Sequence, residues 1–280
     1  MLPTTIPTAL LCATLAWASA PPKPLAILRP ALHDYEDGPR VAPGTTYSAG
    51  DSIFLTFEVG GYQVSEESRV SLTCRVDALD PDGVPLMESA RQEINTTLSP
   101  EDKGWVPIVR QTFLIPPLAP PGTYRILIAV QDRLASRETK AELPIQVRGR
   151  QVAPSDTLLA RNLRFVRAED DSQALEPPAY RPGQTVWVRF DIVGYKLGDK
   201  NRRHVSYGIS VVNPSGKVMY TQAQAAVEEG ESFYPKRYLP SVFSLNLSQD
   251  VRPGAYTVVL ALHDEVGNQN VESKHEFTVQ

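Results

Sequence analysis

Residues 47–62, YSAGDSIFLTFEVGGY, return 133 positions later as residues 180–195, YRPGQTVWVRFDIVGY. Tyr47/Tyr180, Gly50/Gly183, Phe57/Phe190, Gly61/Gly194 and Tyr62/Tyr195 coincide at that offset. Apolar side chains alternate within each copy: Ile53, Leu55, Phe57 and Val59 in the first, Val186, Val188, Phe190 and Ile192 in the second. A period of two puts these residues on one face of an extended strand, whereas a helix would scatter them around its circumference. The stretch therefore says two things. The chain is built from strands, and it is built twice.

Three further blocks repeat in the same order. The turn Asp80-Pro81-Asp82-Gly83 returns as Asn213-Pro214-Ser215-Gly216, with Gly supplying the positive φ that other residues resist. PPGTYRILIAVQD from Pro120 matches RPGAYTVVLALHD from Arg252, and Tyr124, Ile126, Ile128 and Val130 alternate in step with Tyr256, Val258, Leu260 and Leu262. Ile145-Gln146-Val147 closes the first copy as Phe277-Thr278-Val279 closes the second. The one helix candidate is a short polar piece near Ser99–Lys103. Short strands separated by turn signals predict an antiparallel β-sandwich in each half.

The P-G-x-Y blocks, with Tyr124 and Tyr256, resemble the tyrosine corner of immunoglobulin-like sandwiches, in which the Tyr bonds back to nearby backbone. Tyr180-Arg181-Pro182-Gly183-Gln184-Thr185-Val186 is similar to the early strand of macroglobulin-type sandwich domains. The resemblance implies an all-β fold of two tandem immunoglobulin-like (fibronectin III/macroglobulin-type) antiparallel β-sandwiches. The chain departs from full macroglobulins in having no Gly-Cys-Gly-Glu-Gln stretch, so the resemblance implies a fold and brings no inhibitory mechanism with it.

Residues 1–20 contain no charged side chain, an apolar run from Ala9 to Trp17, and small-x-small sites at Ala16-Trp17-Ala18 and Ala18-Ser19-Ala20. That is the pattern of a secretory signal peptide, and Leu11 before Cys12 argues against a lipoprotein signal. The expected organisation is a signal over 1–20, one sandwich over 21–148, a polar linker over 149–156 and a second sandwich over 157–280. Cys12 falls in the signal, so the mature chain keeps Cys74 alone, in phase with the apolar Val70, Leu72 and Val76. Such a protein is secreted or periplasmic, has no transmembrane segment in its mature chain, and is held by its core with no disulfide.

The 280 residues are 42% hydrophobic and 21% charged with a formal net charge of −4, a composition that excludes wholesale disorder. A near-neutral charge with no clustered basic face argues against nucleic acid as a partner. None of the four histidines stands at a metal-ligand spacing; His263 and His275 flank a hairpin and invite a metal only if they meet across strands. The matched positions in the first copy are Gln131 and Leu143, so an ordinary strand-end pair is the better reading. The acidic groups Asp80/Asp82, Glu169-Asp170-Asp171 and Glu228-Glu229-Glu231 fall in turns and loops, where solvation is the usual fate. Calcium at Glu169–Asp171 is a weak alternative. Asn95-Thr96-Thr97 and Asn246-Leu247-Ser248 match the glycosylation pattern. No catalytic set, cofactor or metal site is expected, and the chain does not read as an enzyme.

One difference between the copies stands out. After the shared Gly-Tyr, the first copy runs Gln63-Val64-Ser65-Glu66-Glu67-Ser68-Arg69, and the second Lys196-Leu197-Gly198-Asp199-Lys200-Asn201-Arg202-Arg203-His204. Sandwich domains carry function on their end loops, so Lys196, Lys200, Arg202 and Arg203 are the candidate partner-binding residues. The partner would be a protein or an anionic envelope component; a contact with the first half of the same chain would instead make the loop structural. The expectation is thus a non-catalytic exported binding, adhesion or scaffold module. The alternative is a protease inhibitor or envelope assembly factor. A third class is a carbohydrate-binding accessory protein, using the aromatics of the second copy: Trp187, Tyr207, Tyr220, Phe233, Tyr234 and Tyr238.

Overall fold

The computed structural model describes residues 23–280 apart from residue 103; the expected signal peptide and Cys12 lie outside the described residues. Eight strands form the first half: β1 (Ala26–His33), β2 (Thr46–Ser48), β3 (Ser52–Gly60), β4 (Arg69–Leu79), β5 (Ala90–Thr97), β6 (Ile108–Leu114), β7 (Gly122–Asp132) and β8 (Arg137–Arg148). Eight more form the second: β9 (Leu159–Val166), β10 (Ala179–Tyr180), β11 (Thr185–Val193), β12 (Arg203–Val212), β13 (Val218–Gly230), β14 (Tyr238–Asn246), β15 (Gly254–Asp264) and β16 (Gln269–Val279). Each half pairs a three-stranded sheet with a five-stranded one. The orders are β1-β3-β6 with β2-β8-β7-β4-β5, and β9-β11-β14 with β10-β16-β15-β12-β13. Strand for strand, the second half repeats the first.

The alternating residues lie where their period places them. Ile53, Leu55, Phe57 and Val59 of β3 are buried between the sheets, as are Val186, Val188, Phe190 and Ile192 of β11. Ile126, Ile128 and Val130 of β7 and Val258, Leu260 and Leu262 of β15 face them. The Ser99–Lys103 segment supplies a single 3-10 turn, Pro100–Asp102. A second, Asp199–Asn201, falls inside the basic loop. Both tyrosine-corner bonds form: Tyr124 donates to the Pro120 carbonyl at 2.6 Å and Tyr256 to the Arg252 carbonyl at 2.9 Å.

Not every pairing is antiparallel. In each half the first strand is divided between the two sheets, and its second piece, β2 or β10, runs parallel to the last strand, β8 or β16. Dividing the strand lets one short segment cover an edge of each sheet. The dividing strands β1 and β9 also carry a bulge at equivalent positions, with Arg29 and Asn162 in the left-handed region at φ 48° and 51°.

Burial reaches beyond apolar side chains. Asp132 accepts from the backbone amides of Gln63, Leu134 and Ala135 and from the Arg137 guanidinium, at 2.8 to 3.2 Å. Asp264, its counterpart, accepts from the amides of Lys196 and Gly267 and from the Gln269 side chain. Each carboxylate ties the loop after the Gly-Tyr pair to the closing hairpin. Buried amides need such acceptors, because leaving one unpaired costs about 1–3 kcal/mol.

Candidate functional site

Two regions gather chemistry-bearing side chains. One is the meeting of the halves, the other an open cleft at the end of the first sandwich.

The meeting is built on the first copy's turn. Asp80 is fully buried, although its position in a DPDG turn predicts a solvated side chain. Its Oδ1 accepts from the amides of Asp82 and Val84, at 2.9 and 2.8 Å, which holds the turn. Its Oδ2 accepts from the Tyr234 hydroxyl at 2.7 Å and the Arg237 guanidinium at 2.8 Å, both from the second half. Arg237 also pairs with Asp82. Tyr234 is buried within the apolar core of the first half, next to the tyrosine corner. Burial and the Asp80 carboxylate push the Tyr234 hydroxyl far above its ordinary range, so it stays a neutral donor. Asn213 holds the equivalent turn of the second half with its Oδ1 on Ser215 and Lys217, and needs no charge there.

The linker takes part in this anchoring. Arg150 forms a two-pronged pair with the fully buried Asp191 of β11, one prong at 2.6 Å. Asn162, on the β9 bulge, donates to the same carboxylate at 2.8 Å. The guanidinium lies 5.9 Å from the centre of the Tyr238 ring. A bidentate arginine fork fixes direction as well as distance.

The basic loop divides into two roles. Lys196 reaches the Asp156 carbonyl at 3.0 Å. Arg203, expected on the surface, is 94% buried, and its guanidinium donates to Glu228 at 2.7 and 3.1 Å. Lys236 donates to the same carboxylate at 3.0 Å. Burial pushes the Glu228 carboxyl up, but the bonds from Arg203 and Lys236 outweigh it and hold the group below its ordinary value. Lys200 and Asn201 take left-handed φ values of 54° and 52°, which turns the chain so that the Asn201 amide donates to the carbonyls of Ser232 and Phe233. The loop thus braces the segment that carries Tyr234 into the first half. Of the four candidates Lys196, Lys200 and Arg202 are exposed, Lys196 with its ammonium held by the Asp156 carbonyl, and Arg203 is buried. Sequence reasoning overlooked the brace because its partners are 25 to 32 residues away.

His263 and His275 do not meet. His263 lies opposite Asn270 and His275 opposite Val258 in the β15–β16 hairpin. Among the described residues no group of three His, Cys, Asp or Glu is placed to hold a metal ion. Three of the second-copy aromatics, Tyr207, Tyr234 and Tyr238, are buried, which removes them from any glycan-facing surface.

The open cleft occupies about 810 Å³ between the β3–β4 loop, the segment before β6, the β7–β8 turn and Lys23. Trp105 and Tyr62 line it edge to face, with ring centres 6.5 Å apart. The Tyr62 hydroxyl donates to the Trp105 carbonyl, which fixes the loop under the indole. Arg137 is pinned from behind by the carbonyls of Gly61 and Lys23 and by Asp132.

No family model and no curated protein matches this chain. Among solved structures it is similar to the C-terminal domain of the Streptococcus agalactiae AgI/II polypeptide BspA, with 8% sequence identity and a TM-score of 0.33, over 91% of this chain and 100% of that one.

Proposed function

We propose that this chain is an exported, non-catalytic binding module, in which two sandwiches of common ancestry are locked into a single display unit. The observation that carries this reading is the buried Asp80–Tyr234–Arg237 contact between the halves. The buried carboxylates serve architecture: Asp132 and Asp264 tie loops to hairpins, Asp80 joins the halves, and Asp191 anchors the linker. Acid–base catalysis would call for a carboxylate with its oxygens open to a cleft. What remains open to a partner is the surface of the end loops, and on the second sandwich that surface presents Lys200 and Arg202. Two exposed cations on one loop favour an acidic protein or an anionic envelope polymer and speed encounter at low salt.

The test uses the mature chain and envelope material isolated from its source cells. Binding is expected to be saturable, to weaken with salt, and to fall in the K200E/R202E variant while the melting temperature stays unchanged. Non-saturable retention, or a double variant that binds as well as the parent at low salt, overturns the proposal.

A further inference from the structure

The two halves share a frame but not its use. At the end of each sandwich a Gly-Tyr pair latches a loop: Tyr62 donates to the Trp105 carbonyl, and Tyr195 to the Lys236 carbonyl. In the second half this end is strapped shut. Lys196 runs across to the Asp156 carbonyl, its Cγ lying 2.7 Å from where a Cβ on Gly267 would stand. Tyr195 is buried there, and the residue on the latched carbonyl is an aliphatic-stemmed Lys236 already engaged with Glu228. In the first half Gln63 stands in place of Lys196 and does not cross to Lys23, at the position of Asp156; the Lys23 carbonyl is taken instead by Arg137, from the back of the cleft. The latched residue is Trp105, 36% exposed. A large exposed indole held by its own backbone is unusual in a frame whose other copy closes the same space.

We infer that this first-half cleft is a binding site for a neutral saccharide, with a sugar ring stacked on the Trp105 indole. This rests on the reading of the chain as a binding module and names the ligand class of one of its ends. Three features select that class. The cleft has the size of a small-molecule site and one rigid aromatic face, which takes the apolar side of a ring without costly ordering. The Gln63 carboxamide is part of the lining and offers a donor and an acceptor together, matching hydroxyls that both donate and accept, while the carbonyls of Gly61, Lys23 and Trp105 are already engaged. The cationic side chain at its back, Arg137, is neutralised by the buried Asp132, so that among the described lining residues only Lys23 carries a charge with no ion pair to another described residue, which gives a carboxylated ligand little advantage. A proline-rich peptide would also stack on an indole, but its prolines have no donor for the Gln63 side-chain carbonyl.

The mature chain contains two tryptophans, Trp105 and Trp187, so fluorescence of the W187F variant reports the cleft alone. The probes are cellotetraose, chitotetraose, a tetragalacturonate and decaproline, each titrated to about 10 mM, beyond the weak millimolar regime. A saturable change with one of the neutral tetrasaccharides is expected, weakened at least tenfold in W105A at an unchanged melting temperature. No saturable change with either neutral sugar, preference for tetragalacturonate or decaproline, or W105A binding as tightly as the parent overturns the inference. Envelope retention that persists in W105A while sugar binding is absent would sink this cleft and leave the module reading standing. Loss of envelope retention in the parent would sink the module reading itself.

Discussion

The hydroxyl of Tyr234 donates to the carboxylate of Asp80 at 2.7 Å across 154 residues, and places a side chain of the second sandwich inside the core of the first. The charge at Asp80 is what its counterpart Asn213 lacks. In the D80N variant the Oδ1 atom can still hold the turn, as Asn213 does, but an amide N–H₂ then faces two donors, Tyr234 and Arg237. The expected loss is about 1–3 kcal/mol for the stranded polar groups, toward the low end because Arg237 is about one-third exposed. Calorimetry should show the single transition splitting, and solution scattering should show a larger radius of gyration. An unchanged single transition would mean that the contact does not couple the halves.

Arg203 and its loop neighbours should separate under mutation. R203A leaves Glu228 half-buried with Lys236 as its remaining partner and should lower the melting temperature by several degrees, whereas K200E/R202E should leave it within about a degree. The pH dependence follows from the Glu228 carboxyl, held below its ordinary 4.5. A depressed carboxyl contributes stability that is present above pH 4.5 and is lost as the pH falls through the lower folded value. The parent should therefore lose part of its stability in that acid window, and R203A should lose less there, since its carboxyl is closer to the unfolded value. Parallel pH profiles for the two proteins would refute the brace.

Two glycines with the same backbone conformation should respond differently to alanine. Gly83 has φ +83° with nothing within 4 Å of a new Cβ, so G83A should cost only the left-handed strain of about 1–2 kcal/mol. Gly194 has φ +76° and its Cβ would stand 1.9 Å from the Thr157 carbonyl oxygen. The backbone must move in G194A, and the loss should exceed that of G83A by at least about 2 kcal/mol in a denaturant titration. Equal losses would show that residues 155–158 are not held against the Gly-Tyr loop.

Cys74 is buried in the first core and unpaired, and burial pushes its thiol up to about 11. At pH 8 a thiol reagent should fail to label the folded protein and should label it fully in denaturant. Because the folded thiol holds its proton more tightly than an unfolded one near 9, its contribution to stability is complete below pH 9 and is lost between about pH 9 and 11. Reductant should leave the melting temperature unchanged. Rapid labelling of the native chain would place the thiol at the surface.

Much of the architecture was legible in the chain itself. The period-two runs of β3, β7, β11 and β15 fixed strand, face and core, because a pleat sends alternate side chains to opposite sides whatever surrounds it. The spacing of the four blocks fixed the duplication, and the P-G-x-Y blocks anticipated the corner bonds that Tyr124 and Tyr256 make. These are properties of local backbone geometry, so local sequence carries them. What Asp80, Arg203, Lys196 and Trp105 do was decided only by tertiary structure. A DPDG turn and a basic loop read the same whether they face water or another part of the chain, and the matched copies gave no hint, since Asn213 serves an exposed turn and Gln63 an open loop. Burial by residues more than a hundred positions away turned Asp80 from a surface charge into the joint between the halves. Its absence at the other end of the first sandwich left Trp105 uncovered. Solvation depends on what packs against a side chain, and that is set by the whole chain rather than by its neighbours in sequence.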